Sequence, residues 1–163
     1  MSISEQQEAC FVCQKHKGQL ALPGGIIYED ELIFASHHIP EDGPTSYLGW
    51  LIVEPKRHFP GLAEQTEEEA KASGLLIARL SRALKVCTEA EHIYSFVLGH
   101  HVPHLHIHLL PRYPGTPRDY WGVRVPEWPD APQGDAQHVV LLCERVRDYL
   151  ITEEEGPSFN FPD

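Results

Sequence analysis

The stretch His104-Leu105-His106-Ile107-His108-Leu109-Leu110 decides how this chain is read. Three imidazoles alternate with aliphatic side chains, and Pro111 follows closely. In an extended backbone successive side chains point to opposite faces. Leu105, Ile107 and Leu109 therefore enter a core while His104, His106 and His108 line the other face, roughly 7 Å apart. Three ionisable rings in a row make a poor solvated sheet face. Histidine is used where a group must be neutral near pH 7 and still act as nucleophile, base or ligand. A purification tag would be terminal and uninterrupted, and this run is neither. The stretch predicts a strand that carries a functional site.

Upstream, His92 to Leu98 alternates as a second strand, and Gly99-His100-His101-Val102-Pro103 turns it into the histidine strand. An antiparallel pair joined this way places His100 and His101 near the triad's own face. Thr66-Glu67-Glu68-Glu69 is a capping box in which the Thr66 hydroxyl and Glu69 carboxylate satisfy the first free donors of a helix. Leu76, Leu80, Ala83, Leu84 and Cys87 then form one apolar stripe on a helix of about twenty residues. Gly24 to Ala35 reads as a hairpin around an acidic Glu-Asp-Glu turn, followed by a loop that contains His37 and His38. Tyr47 to Val53 reads as one strand, with pairing ending at Pro55, which has no N–H to donate.

The segment after Arg112, rich in Pro, Trp and Tyr, is too apolar for a free linker and too broken by proline for regular structure. It is expected to wrap the surface, a subunit contact or the pocket mouth, with Trp121 and Trp128 available for any of these. Asp135 caps a last helix with Val139, Leu142, Cys143, Val146, Tyr149 and Leu150 on one side. Residues 1–9 and 152–163 are expected to fray.

Cys10-Phe11-Val12-Cys13 places two thiols three residues apart, a spacing that suits one zinc ion or a redox pair. A redox pair belongs at the start of a helix after a strand, and nothing upstream reads as a strand, so zinc is favoured. Two further ligands must come from elsewhere, and His16 is the nearest by sequence.

Composition bounds the rest. With 163 residues, 42% hydrophobic and 23% charged, the chain reads as one domain of α+β class. The expected architecture is an antiparallel sheet of about five strands, with the capped helix packed on one face and a C-terminal helix. A net charge of -11 excludes nucleic acid or anionic membrane as a bulk partner, but a small anion needs only local donors. No apolar run is long enough to span a membrane, and the first residues show no secretion pattern, so the cytoplasm is the expected compartment. Cys87 and Cys143 fall on apolar helix faces and read as core residues.

The H-x-H-x-H-x-x pattern with apolar residues at each x resembles the signature of the histidine triad (HIT) superfamily of nucleotide hydrolases and transferases, and the likeness extends from Cys10 to Arg112. Leu51-Ile52-Val53-x-Pro-Lys-Arg-His resembles its second landmark. Similarity to the zinc-containing bacterial branch implies one structural Zn2+ per chain on Cys10, Cys13, His58 and His104. That set suits zinc, because thiolate and imidazole are its preferred ligands and no coordination position is left open. The resemblance further implies that His106 is the nucleophile toward the α-phosphorus of a nucleoside phosphoramidate or dinucleoside polyphosphate, and that His108 donates to phosphate oxygens or leaving group. His100 stands where the family often has a phosphate-contacting glutamine, and His38 where an aspartate holds ribose. His101 is a second candidate on the substrate side. A homodimer that extends the sheet across a two-fold axis is implied in the same way. Two other readings stay open: a hydrolase with a catalytic metal on His104, His106 and His108, and a nucleotide-binding module with little catalysis.

Overall fold

The computed structural model describes residues 9–155. Five strands form one antiparallel sheet in the order β1-β2-β4-β6-β5. They are β1 (Ile26–Glu29), β2 (Ile33–His37), β4 (Leu51–Pro55), β5 (His92–Phe96) and β6 (Ile107–Arg112). A short pair, β3 (Ser46–Tyr47) with β7 (Gln133–Gly134), stands apart from it. Among the described residues three α-helices accompany the sheets: α1 (Phe11–His16), α2 (Glu67–Thr88) and α3 (Ala136–Glu155). This is the α+β architecture expected from the sequence. Among the described residues no helix is long and apolar enough to cross a membrane.

The hairpin between β1 and β2 turns on Asp30, whose carboxylate accepts from the backbone N–H groups of Leu32 and Ile33 at 2.8 and 2.7 Å. The capping box of α2 is present with both of its bonds. One face of the sheet, with Ile33, Ala35, Leu51, Val53, Ile107 and Leu109, packs against the apolar stripes of α2 and α3. Every residue assigned to the α2 stripe from its spacing is buried there. Asp135 caps α3 through the backbone N–H groups of Gln137 and His138.

Four expectations need correction. Tyr47 to Val53 is two elements, because the chain turns between Tyr47 and Leu51. Gly49 adopts φ +83°, a Cβ there would lie 2.9 Å from Pro111 Cγ, and its N–H donates to His37 Nε2 at 3.1 Å. His37, at the end of β2, is therefore fully buried as a turn anchor.

The histidine strand begins only at Ile107, so His104 and His106 precede the ladder. Leu105 N–H donates to Phe59 O at 2.7 Å, outside the register of β6, and both histidine rings bond carbonyl groups.

The segment expected to lack regular structure contains two 3-10 stretches, Arg118–Tyr120 and Gly122–Glu127, and the strand β7. It covers the second sheet face, where Val125, Ala131 and Trp128 pack with Tyr47, Leu110 and Trp50. Trp121 stacks between Arg112 and Arg118. Finally, α3 continues through Glu155, so residues 152–155 are helical, and Arg79 and Arg82 of α2 hold Glu153 in place. The remaining termini expected to fray lie largely outside the described residues.

This layering separates two leucines of α2. Leu80 is 0% exposed and Leu75 is 63% exposed. Leu80→Ala is expected to lower unfolding free energy by about 2–5 kcal/mol, whereas Leu75→Ala should change it by less than about 0.5 kcal/mol. Urea denaturation at pH 7 measures both.

Candidate functional site

The strand registers set the site. Ile52 of β4 pairs with His108 of β6, His108 also pairs with Phe96 of β5, and Glu54 pairs with Phe34 of β2. These side chains occupy the sheet face away from α2 and α3. The short helix α1 lies over the same face, with His16 against the Phe34 ring at 4.6 Å. Between α1 and the sheet is a cavity of about 410 Å³ lined by His38, Ile52, Glu54, His106 and His108, with Lys15 from α1.

Hydrogen bonds assign the tautomers of the two triad rings in this cavity. His106 Nδ1 lies 2.7 Å from the carbonyl oxygen of His104. A carbonyl only accepts, so Nδ1 carries the proton and the neutral ring keeps its lone pair on Nε2. His108 is held in the opposite sense. The Trp50 indole N–H donates to His108 Nδ1 at 3.0 Å, which puts the ring proton on Nε2. That Nε2 is buried with no partner among the described residues. Burial, and next the neighbouring His106, lower the His108 pKa to about 4, so the ring is a neutral donor at pH 7. Phe96 stacks on its face with ring centroids 4.9 Å apart. The cavity thus presents one lone pair and one unspent N–H from rings 5.0 Å apart.

A second constellation lies beside it. Ligand atoms of Cys10, Cys13, His58 and His104 all fall within 4.8 Å of one another. His104 Nδ1 is 3.6 Å from Cys10 Sγ and 3.5 Å from Cys13 Sγ, and His58 Nδ1 is 3.4 Å from Cys13 Sγ. Zinc bonds of about 2.3 Å to sulfur and 2.05 Å to nitrogen at tetrahedral angles predict sulfur–nitrogen edges of about 3.6 Å. The four residues therefore fit that ion in donor type and in spacing. His104 Nε2 donates to Pro55 O at 2.7 Å, which leaves Nδ1 unprotonated and turned to the thiols. Burial, then the adjacent Cys10, push the Cys13 thiol up to about 11. A cation would be needed to hold the pair as thiolates.

The other sequence candidates divide. His38 lines the cavity and stacks on Trp50 at 3.9 Å and 9°. Burial, then His37 and His108, lower its pKa to about 4. His100 and His101 are exposed in the connection between β5 and β6 and lie outside the cavity lining. His16, the nearest metal candidate by sequence, is outside the Cys/His cluster, and its Nε2 instead meets Glu54 Oε2 at 3.1 Å. The nitrogens of His104, His106 and His108 do not converge, since each ring is committed to a different partner, so a metal held by those three has no support in this geometry.

Sequence reasoning missed Trp50, Lys15 and Glu54. An acid within the buried run Leu51-Ile52-Val53-Glu54-Pro55 was a usable signal, because a carboxylate is rarely buried unless paired. Lys15 Nζ is its partner at 2.5 Å. Trp50 left no pattern, since only the turn at Gly49 aims its indole at His108.

Comparison with known proteins agrees with this arrangement. Protein hit of Bacillus subtilis is 31% identical over 113 residues, covering 65% of this chain and 72% of that protein. A solved HIT-family structure from the same organism is 27% identical, covers 66% of this chain and 75% of its own, and superposes with a TM-score of 0.56. A structure described as a Zn-bound histidine triad family protein from Mycobacterium smegmatis shares the fold with a TM-score of 0.68 at 20% identity, covering 91% of this chain and 98% of that one. Residues 19–115, more than half of the chain and inclusive of His38, His58 and the whole histidine triad, match the HIT domain model, and the chain belongs to that family.

Proposed function

We propose that the protein is a nucleotide hydrolase or nucleotidyl transferase acting at the α-phosphorus of a nucleoside phosphoramidate or dinucleoside polyphosphate, through a nucleotidyl-histidine on His106. The observation that carries this reading is the pair of opposed tautomers, a lone pair on His106 Nε2 beside an unspent N–H on His108 Nε2 in one cavity. Displacement at phosphorus needs both an unprotonated nucleophile and donors for charge on the phosphoryl oxygens.

In the first step His106 Nε2 bonds to phosphorus, and the bond to the leaving group breaks with its electron pair; a phosphate leaves as its anion, and an amine leaves as the neutral amine after its nitrogen has taken a proton from solvent. Positive charge then develops on the His106 ring, where Nδ1–H already points at the His104 carbonyl. His108 Nε2–H bonds a non-bridging oxygen throughout and remains protonated. Water next attacks phosphorus, the nitrogen–phosphorus bond breaks, and His106 recovers its lone pair as the nucleoside monophosphate leaves. His38, on the cavity wall, is placed to meet the sugar. His100 and His101 would have to reach the leaving group from outside the cavity lining, to which neither belongs.

Cys10, Cys13, His58 and His104 would hold one structural zinc ion. The bound ion supplies charge for two thiolates and cross-links α1 to the segments that lead into α2 and β6. A homodimer is proposed through β5, an edge strand of the five-stranded sheet.

Three measurements test the reading. With adenosine 5′-phosphoramidate, His106→Asn should lower kcat by about four orders of magnitude without changing the circular dichroism spectrum, and acid-quenched wild-type protein should show a nucleotide mass on His106. Trp50→Phe keeps an aromatic ring over His38 but removes the donor that sets the His108 tautomer, so kcat should fall about 10- to 100-fold with little change in KM. Elemental analysis should give one zinc per chain; Cys10→Ser should lose it and reduce stability by several kcal/mol, on the order expected for a structural ion. Wild-type turnover by His106→Asn would overturn the mechanism.

A further inference from the structure

The cavity contains a charged pair that the proposed chemistry does not use. Lys15 Nζ meets Glu54 Oε1 at 2.5 Å, with side-chain exposures of 4% and 2%. Glu54 Oε2 is taken by His16 at 3.1 Å. Burying such a pair gains the fold little, because well-packed apolar residues of similar volume are often as stable or more so. Both members nevertheless line the cavity, beside Ile52 of β4 and Phe11 and Val12 of α1.

What the pair offers a ligand follows from what it has already spent. Each Glu54 oxygen has a donor, whereas the Lys15 ammonium has three N–H groups and one bond to Glu54 among the described residues. The unspent capacity at this wall is therefore N–H donation from a cation. The apolar side chains around it suit the faces of a flat ring, and the ammonium meets the ring's edge. Guanine presents two adjacent acceptors, O6 and N7, and a lysine can bond both. Adenine presents N7 beside an amino donor, and that amino group would face the ammonium with no acceptor.

Resting on the nucleotide reading above, we infer that Lys15, held in place by Glu54, is the specificity-determining residue of this cavity and selects a 6-oxopurine, guanine or hypoxanthine, over adenine. Lys15 reaches the cavity from the six-residue helix α1.

The test is isothermal titration of the full-length, metal-loaded protein with GMP, IMP and AMP, with kcat/KM for guanosine and adenosine 5′-phosphoramidates measured in parallel. Wild-type protein should bind GMP and IMP about 10- to 100-fold more tightly than AMP, with the difference in turnover carried by KM. The double variant Lys15→Met/Glu54→Leu removes both members of the ion pair together and leaves His16 without its Glu54 contact. It should fold, keep its zinc and lose the preference, binding GMP, IMP and AMP with equal affinity. Lys15→Arg, which also donates to O6 and N7, should retain it. Equal affinity of wild-type protein for all three nucleotides, or tighter AMP binding, overturns the inference whether or not any variant folds. A double variant that still prefers GMP overturns it too, as does one that weakens GMP, IMP, AMP and methyl phosphate alike, which would assign Lys15 to the phosphate. Base-blind binding leaves the nucleotide reading standing, whereas failure of wild-type protein to bind any nucleotide removes both.

Discussion

The His104 imidazole is the constraint on which the rest of this structure depends. One ring nitrogen faces the thiols of Cys10 and Cys13, and the other donates to the carbonyl of Pro55. Its own carbonyl accepts the N–H of His106. A single fully buried residue thus fixes a ring, a backbone group and the tautomer of the next histidine. This explains why the ladder of β6 starts only at Ile107. The three preceding residues spend their hydrogen bonds on the site instead of on the sheet, which satisfies buried polar groups at the cost of regular pairing.

The segment around His58 is anchored with equal care. Arg57 bonds both carboxylate oxygens of Glu69 at 2.8 Å, and that carboxylate also caps α2. Hydrogen bonding from Arg57 first, and from Thr66 after burial, holds the Glu69 pKa down to about 2. Lys56 reaches Glu29 and the Asp30 carbonyl, and Phe59 O accepts from Leu105. The helix cap that begins the apolar core is therefore also the clamp on a proposed metal ligand. Position within the site is set by groups whose ordinary role is local stability, which is how a rigid scaffold keeps reacting atoms aligned.

The period-2 pattern from His104 to Leu110, the capping box at Thr66 and the stripe from Leu76 to Cys87 were legible because each is local, with spacing that maps directly onto one face of a strand or helix. The Cys10, Cys13, His58 and His104 grouping became readable only through a family resemblance, since ligands 91 to 94 positions apart leave no spacing rule to apply. What stayed hidden depended on turns. Gly49 bends the chain so that Trp50 meets His108, and nothing in Leu48-Gly49-Trp50 announces a tautomer. His37 and His38 are adjacent in sequence yet have opposite fates, because one faces the apolar core beside Leu51 and the other the cavity beside Trp50. His100 and His101 sit exposed in the connection between β5 and β6, outside the cavity lining that includes His106.

The division of labour between α1 and the sheet has a consequence for specificity. The family model matches residues 19–115, which hold the rings at positions 106 and 108, while Cys10, Cys13 and Lys15 lie at α1 just before them. The proposed reacting groups lie on β6 and the residue just before it, and one wall of the cavity belongs to a six-residue helix that is too short to be stable by itself. What holds that helix down is the Cys/His cluster at one side and the Lys15, His16 and Glu54 contacts at the other. Under the proposed mechanism, ligand selection can therefore change through α1 without disturbing the proposed nucleophile His106, provided that the cluster stays intact. The same anchoring makes the wall and the chemistry interdependent, because loosening His104 would release the helix and the His106 ring together.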